Sequence, residues 1–373
     1  DGYRVTDQLK TIAQFSPDEL SASAVYAANI ITPQINGNQL GGRNYLINGD
    51  FAVAQRGATL ESGSNADTDY TLDRWKLFSD TDDVVDVAQI TSGVPTGNKY
   101  ALDLDVETAN KKFGVAQIIE NVNCGDLIGQ TVTLSFKAKV NATTNMDNVK
   151  AAIIAWSSTA DAPTDDMISA WGVEGTNPTL AANFTYENTP ANLNVTTSWA
   201  DYSVTAAIDT SSTANIIVFI WSDVTTTTAG TDHLYLANVQ LELGSHASNF
   251  QTEDYGTNLL KCQRYFEVIK IGGYARVGNS LNTNDTRGHA FDFKAEKRTA
   301  SITMGHSAIG RSSGEFTFTN DAGNYVSTDP DDIGSYNDKT NVSIFATSST
   351  NIAGLTNDSI SCIYVNGNAQ LTF

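Results

Sequence analysis

From Asn44 onwards the sequence alternates apolar and polar residues with a period of two, in short runs separated by Gly, Asn and Asp. This pattern predicts β-strands, because successive side chains of a strand point to opposite faces of a sheet. No long helical pattern lies between the runs, which argues against a parallel sheet and favours an antiparallel β-sandwich. The candidate strands are Phe51 to Gln55, Arg74 to Phe78, Val84 to Ile90, Tyr100 to Val106, Val115 to Ile119, Thr131 to Val140, Val149 to Trp156, Asp201 to Ile208, Ile216 to Trp221 and Leu234 to Leu243.

A second group of candidate strands follows a short predicted helix from Thr257 to Tyr265. We therefore place a domain boundary near residue 250, with one β-domain over residues 44 to 250 and a smaller one over residues 251 to 373. The strands of this second group are Phe266 to Ile271, Tyr274 to Val277, Ala290 to Phe293, Ala300 to Met304, Phe316 to Thr319, Val342 to Ala346, Ile360 to Val365 and Ala369 to Phe373.

Residues 1 to 43 differ from the rest of the chain. Ser16 and Pro17 have the form of a helix start, with Ser16 as the N-cap and Pro17 at the first helical position, and the helix would run to about Ala27. The remaining apolar spots, such as Ile30 and Ile35, are too few to form a core. We expect this segment to be an attachment or linker element that needs a partner surface.

Composition supports the β assignment and limits the possible partners. The 373 residues include 44 Thr, a β-branched residue that favours strands. Acidic residues outnumber basic ones by 42 to 22, so the formal net charge is −20 and the protein repels phosphate backbones and anionic lipids. We therefore expect no nucleic-acid partner and no membrane insertion.

Several motifs in the right order resemble a known family. The two opening motifs and the closing motif resemble the start and the last strand of a jelly-roll domain found in bacteriophage tail fibre and receptor-binding proteins, which is related to carbohydrate-binding modules. The motif after the closing strand is similar to the junction with a C-terminal β-domain in the same proteins. These motifs are Asn44 to Phe51 with Gln55 to Gly57, Tyr70 to Trp75, Leu234 to Gly244, and Cys262 to Phe266.

The resemblance implies an all-β chain with a short N-terminal attachment segment, a jelly-roll β-sandwich and a second, smaller β-sandwich domain. It implies a virion structural protein on the phage exterior, a homotrimer that attaches to other tail or capsid proteins through residues 1 to 43 and binds host cell-surface polysaccharide. Two alternatives are a free or cell-anchored polysaccharide-binding module and a capsule-degrading depolymerase spike. We expect no enzyme, because no sequence feature pairs a His with a nucleophile or selects a pair of catalytic carboxylates.

Aromatic residues in polar stretches are the candidate sugar-binding residues. Trp171 and Tyr186 lie in a long insertion over roughly residues 157 to 192, where an exposed ring would serve as a stacking platform. The alternative is that Trp171 packs the loop onto its own domain or onto a neighbouring subunit. Tyr325 and Tyr336 lie in a predicted loop region over residues 306 to 340. Trp199 resembles a packing Trp of jelly-roll modules.

The same resemblance suggests a structural calcium ion. Jelly-roll modules often hold one between their first and last strands, which here points to Asp50 and Glu242. However, Asn238 stands where an acid is expected, so a metal-free version is favoured, and we expect no other cofactor. Beside these, Trp75 is expected to face the core and Arg74 to point outward.

Overall fold

The computed structural model describes residues 44–60, 65–267 and 292–298 with their side chains, and beyond them the backbone of several strands. The predicted helix from Ser16 to Ala27 lies outside the described residues. Strands are numbered in chain order; the first pair, Gln34–Ile35 (β1) and Asn38–Gln39 (β2), is antiparallel. No helix among the described residues is long and apolar enough to span a membrane.

Two antiparallel sheets form a β-sandwich, which confirms the predicted fold class. The five-stranded sheet has the order Phe184–Tyr186 (β12), Val149–Trp156 (β9), Asn215–Ser222 (β14), Phe113–Ile119 (β7) and Lys76–Ser79 (β4). The six-stranded sheet has the order Ala200–Ala207 (β13), Thr131–Val140 (β8), His233–Leu243 (β15), Ala101–Val106 (β6), Val85–Ile90 (β5) and Thr59–Leu60 (β3). From β6 to β9, and again from β12 to β15, consecutive strands alternate between the sheets, as in a jelly roll.

Side chains from the inner faces of both sheets form the main core, which includes Trp75, Phe113 and Leu236. Most predicted strands match the observed ones to within two residues, because each of them buries at least one face of apolar side chains. A helical turn, Asn121–Cys124 (α1), is followed by a 3₁₀ turn, Gly125–Leu127. Cys124 and Leu127 from these turns belong to the main core.

The opening motif is held against the last strand without being a strand itself. Tyr45 N donates to Leu241 O at 2.9 Å, and Val239 N donates to Gly49 O at 2.8 Å. A Cβ atom on Gly49 would lie 2.0 Å from Val239 O, so only glycine allows this close approach. The predicted strand from Phe51 to Gln55 is wrong, because Phe51 has a φ of 56° and the chain turns there.

Asn48 connects this opening motif to the rest of the domain. Its side-chain amide donates to Val53 O and Asp73 O, both at 2.9 Å, and its backbone carbonyl accepts the indole N–H of Trp75. Trp75 is fully buried, as expected. The expected outward orientation of Arg74 is wrong: its φ is 74°, and its buried guanidinium lies 3.5 Å from the ring centroid of Tyr265.

A buried charge cluster fixes the insertion over residues 157 to 192, which contains the strands Ile168–Ala170 (β10) and Thr179–Leu180 (β11). Lys112 and Lys150 both pair with the fully buried carboxylate of Asp223, at 2.5 and 2.7 Å. Lys112 Nζ also donates to Trp171 O, while Gly175 N donates to Asp223. The core strands therefore hold the insertion through charge-assisted hydrogen bonds.

Replacing Asp223 by Asn is expected to lower the free energy of unfolding by about 3 to 5 kcal/mol, because two buried ammonium groups lose their counter-charge. Urea unfolding followed by fluorescence measures this. The control is Asp201→Asn, which breaks the exposed pair with Lys137 and should cost about 1 kcal/mol or less. Equal effects of the two substitutions would contradict a structural role for the cluster.

The helix Tyr255–Gln263 (α2) follows the sandwich and begins two residues before the predicted start, because the side chain of Asp254 caps it by accepting a hydrogen bond from Thr257 N. Contacts cross the predicted boundary at residue 250: Asn48 N donates to Asn258 Oδ1 at 3.0 Å, and Glu120 pairs with Arg264 at 2.7 Å. The boundary itself stays a prediction.

Beyond α2 the structure describes ten further strands in three antiparallel sheets, which confirms the β character of this part of the chain. The strands are Phe266–Ile269 (β16), Gly272–Arg276 (β17), Asp285–Asp292 (β18), Thr303–Gly305 (β19), Phe316–Thr319 (β20), Tyr325–Thr328 (β21), Asp332–Asn337 (β22), Asn341–Ser348 (β23), Ile360–Val365 (β24) and Ala369–Thr372 (β25). Two of them, β21 and β22, were not predicted from the sequence and lie inside the expected loop over residues 306 to 340.

Candidate functional site

The outer face of the five-stranded sheet is covered by the insertion. Its aromatic side chains, among them Phe219 and Trp221, belong to a second buried cluster with Trp171 and Trp156. The expectation that Trp171 is an exposed platform is wrong: only 8% of it is exposed, and its ring centroid lies 6.0 Å from that of Phe219. Trp171 instead packs the insertion onto its own domain, as in the alternative given above.

Tyr186 lies at the edge of this buried cluster and is half-buried. Its hydroxyl donates to Pro178 O at 2.9 Å, and burial raises the pKa of the phenol. The side chain therefore ties β12 to the residue before β11, within the insertion. Tyr325 begins β21 and Tyr336 lies in β22, but both side chains are outside the described residues, so their proposed role stays a prediction.

The outer face of the six-stranded sheet carries a different set of side chains. In β6, β8 and β15, apolar residues point into the sandwich and polar or aromatic residues point outward. The strand register pairs Tyr235 with Asp103 on one side and with Lys139 on the other. Trp199 lies one residue before β13, next to Lys139. We call this row of Asp103, Tyr235, Lys139 and Trp199, together with His233, the aromatic face.

The rings of the aromatic face are held in fixed positions. The indole N–H of Trp199 donates to Gly93 O at 2.7 Å, and its ring centroid lies 6.3 Å from that of Tyr235. His233 stacks on the other side of Tyr235, with centroids 5.4 Å apart and planes 8° apart. All three side chains are partly exposed. This arrangement gives a preformed aromatic surface with little entropy left to lose on binding.

Lys139 lies above these rings. Its Nζ is 4.5 Å from the ring centroid of Tyr235 and 5.3 Å from that of Trp199, within range of cation–π attraction. Among the described residues it has no hydrogen bond or ion pair. The three N–H donors of its ammonium group are therefore free for a ligand that lies on the rings.

Two carboxylates control the charge of the aromatic face. His233 Nδ1 lies 2.9 Å from Asp103 Oδ1, and Nε2 lies 3.5 Å from Asp105 Oδ1. The hydrogen bond to Asp103 raises the pKa of His233 above its usual 6.5, although burial acts in the opposite direction. Burial, assisted by both carboxylates, raises the pKa of Tyr235 to about 12. The face thus presents donors and acceptors side by side near neutral pH.

The strands β8, β13 and β15 also line a cavity that shares no residue with the aromatic face. Its volume is about 300 Å³, and Ser135, Lys137, Asp201 and Asn238 are among the residues that line it. Lys137 is two residues from Lys139 in β8, so both side chains point to the same face. Asn238, at a φ of 53°, exchanges hydrogen bonds with the side chain of Asn98.

Asp50 and Glu242 do not fit a calcium site. Glu242 is fully buried, and both of its oxygens accept hydrogen bonds, from Ser248 N and Oγ at 2.7 Å and from Gln240 Nε2 at 3.0 Å. Asp50 accepts hydrogen bonds from Ala52 N and Asn258 Nδ2. N–H and O–H donors surround these carboxylates, whereas a calcium ion needs six to eight oxygen ligands. Within the described residues there is no group of three or more His, Cys, Asp or Glu suited to a metal ion.

No protein-family model matches the sequence, and no curated protein matches it significantly. Solved structures with a similar fold include the enzymatically active domain of tailspike protein 4 of bacteriophage CBA120, at 14% identity and a TM-score of 0.32, over 54% of this chain and only 21% of that one. They also include TmCBM61 in complex with β-1,4-galactotriose, at 14% identity and a TM-score of 0.30, over 54% of this chain and 99% of the other. The xylan-binding domain from Paenibacillus barcinonensis Xyn10C has 14% identity and a TM-score of 0.29, over 52% of this chain and 99% of that one.

His233 should titrate above pH 6.5 in the folded protein, and Asp103→Asn should lower its pKa by removing the hydrogen-bonding charge. A proton NMR titration over roughly pH 5 to 8 measures both values. By linkage, the imidazolium contributes stability that is complete below the unfolded-state pKa and lost as the pH rises through the folded-state pKa. If His233 titrated at the same pH in wild type and variant, Asp103 would not control its charge.

Proposed function

We propose that the chain binds glycans through the aromatic face of the six-stranded sheet. The observation that supports this is the row in which Trp199 and Tyr235 present immobilised rings beside the unpaired ammonium of Lys139. The π-face of an aromatic ring is electronegative and attracts the partly positive C–H groups of a sugar ring. Lys139, His233 and Asp103 then supply hydrogen bonds to hydroxyl groups, which fix the orientation of the sugar.

A wider biological role follows from the sequence motifs. We propose that this glycan-binding chain is a tail-fibre or related receptor-binding subunit of a bacteriophage, exposed on the virion and attached to other virion proteins through residues 1 to 43. The ordered motifs from Asn44 to Phe266 support this role, since they resemble those of phage receptor-binding proteins. A recognition surface based on ring stacking also suits a chain with a net charge of −20, because stacking needs no electrostatic attraction to an anionic cell envelope.

Replacing Trp199 or Tyr235 by Ala should weaken glycan binding at least about tenfold, equivalent to about 1.4 kcal/mol. An array of bacterial oligosaccharides identifies a ligand, and calorimetry then gives the dissociation constants. Lys139→Met should also weaken binding while keeping the packed part of the side chain. None of the three should change the free energy of unfolding by more than about 1 kcal/mol, as is usual at partly exposed positions.

Tyr255→Ala is the matched control, because Tyr255 is 53% exposed and lies on α2, which contributes no residue to the aromatic face. This variant should bind as the wild type does. If the substitutions at Trp199 and Tyr235 left binding unchanged, the aromatic face would not be the glycan site.

The full chain should be a homotrimer, as expected of a fibre subunit, whereas a free binding module would be a monomer. The edge strand β13 supports association, since one side of its backbone is unpaired in the described sheet and a copy of the chain could cover it. Size-exclusion chromatography with light scattering should give a mass three times the 39.9 kDa of the chain. A mass near 40 kDa at micromolar concentration would favour the free-module alternative.

A further inference from the structure

A second cavity lies where the sandwich meets the segment after α2, and it shares no lining residue with the aromatic face. Its volume is about 270 Å³, close to the lower end of the range for small-molecule sites. Three arginines and three aromatic rings dominate its walls, in a protein whose net charge is strongly negative. These residues, the arginine pocket below, are Arg56, Arg74, Arg298, Tyr70, Tyr265 and Phe266.

Arg56 is the central group of the arginine pocket. Its guanidinium lies 3.7 Å from the ring centroid of Phe266 and 5.3 Å from that of Tyr70. Within the described residues it has neither a hydrogen bond nor an ion pair. Burial lowers the pKa of Arg56, which the nearby Asp73 partly counteracts. A guanidinium group remains protonated in proteins, so this position holds a partly buried positive charge whose donors have no partner among the described residues.

Arg74 provides a second unused donor. One of its Nη atoms donates to Ile118 O, and its guanidinium stacks on Tyr265. However, its Nε has no hydrogen-bond partner among the described residues. Only 8% of Arg74 is exposed, so this N–H group is buried as well as unpaired. Buried polar groups in native proteins are usually paired, so an unpaired guanidinium N–H in a cavity wall indicates a ligand position.

The acids around the arginine pocket are already engaged. Glu120 accepts hydrogen bonds from Arg264 and from the hydroxyl of Tyr265. Asp165 pairs with Lys76 and accepts a hydrogen bond from Thr68 at 3.1 Å.

Asp161 and Asp73 are likewise occupied. Asp161 accepts hydrogen bonds from Asn121 N and Asn215 Nδ2, both at 2.7 Å, and Asp73 accepts two from Gln55. The carboxylates therefore have partners, whereas the guanidinium of Arg56 and the Nε of Arg74 have no hydrogen-bond partner among the described residues.

We propose that the arginine pocket binds the carboxylate of one acidic sugar residue, of the uronic-acid type. Guanidinium groups match the geometry of a carboxylate in a bidentate fashion, and an anion would compensate the partly buried charge of Arg56. The rings of Tyr70, Tyr265 and Phe266 provide apolar walls for the sugar C–H groups, which a bare phosphate ion would not use. The arginine pocket shares no residue with the aromatic face. This proposal can therefore be tested independently of glycan binding by the aromatic face.

The test uses the full chain and three probes: glucuronic acid, glucose and inorganic phosphate, each titrated by calorimetry and by protein NMR. Glucuronic acid should bind at least about tenfold more tightly than either of the others, and added salt should weaken its binding. Arg56→Met, which keeps an apolar side chain against Phe266, should reduce the affinity for glucuronic acid at least about tenfold. Tyr70→Ala, at a partly exposed ring, should weaken it as well.

Thermal unfolding separates this proposal from a structural role for Arg56. A charge kept for a ligand is costly in the free protein, so Arg56→Met should unfold at the same temperature as wild type or higher. Tyr255→Ala, which lies outside the arginine pocket, should leave glucuronic acid binding unchanged. The proposal is overturned if glucuronic acid binds no better than glucose, if phosphate binds equally well, or if neither Arg56→Met nor Tyr70→Ala weakens the binding. An Arg56→Met variant that unfolds at a much lower temperature, with Tyr70→Ala binding normally, would also overturn it.

Discussion

The register of the central strand β15 is the constraint on which most of this structure depends. It pairs with β6 on one side and β8 on the other, and its backbone also bonds to the opening motif at Tyr45 and Gly49. A shift by one residue would bring Tyr235 into the core and Leu236 to the surface. The irregularity between Ala237 and Gln240, where Asn238 has a positive φ, lets both halves of the strand keep their apolar residues inside.

The same constraint explains why one outer face is available for binding and the other is not. On the five-stranded sheet, apolar residues occupy both faces, so an additional layer has to cover the outer one. The insertion provides that layer, and the buried cluster of Lys112, Lys150 and Asp223 holds it in place. The six-stranded sheet alternates between core and surface from Leu102 to Val106 in β6, so its outer face can remain open and polar.

The sandwich could be predicted from the sequence, because the period-two pattern of strands such as β8 directly reflects their burial. The burial of Trp171 could not be predicted in this way, because it depends on which face of a distant sheet is apolar. Trp199 was assigned to packing by resemblance, and its exposure became clear only once the register placed it beside Lys139 and Tyr235.

Local conformation accounts for the other differences. Phe51 and Arg74 both have a positive φ, which non-glycine residues seldom adopt and which a hydrophobic pattern does not reveal. For Arg74 the consequence is a buried side chain where the alternation predicted an exposed one. The arginine pocket was invisible in the sequence because it combines residues that are far apart in the chain, from Arg56 to Arg298.

The most direct measurement of glycan binding by the aromatic face is a crystal structure of the chain with an oligosaccharide that it binds in solution. We predict sugar density against the rings of Trp199 and Tyr235, with a hydroxyl group within hydrogen-bonding distance of Lys139 Nζ. Sugar bound elsewhere in the chain, with the aromatic face unoccupied at saturating concentration, would contradict the proposed site.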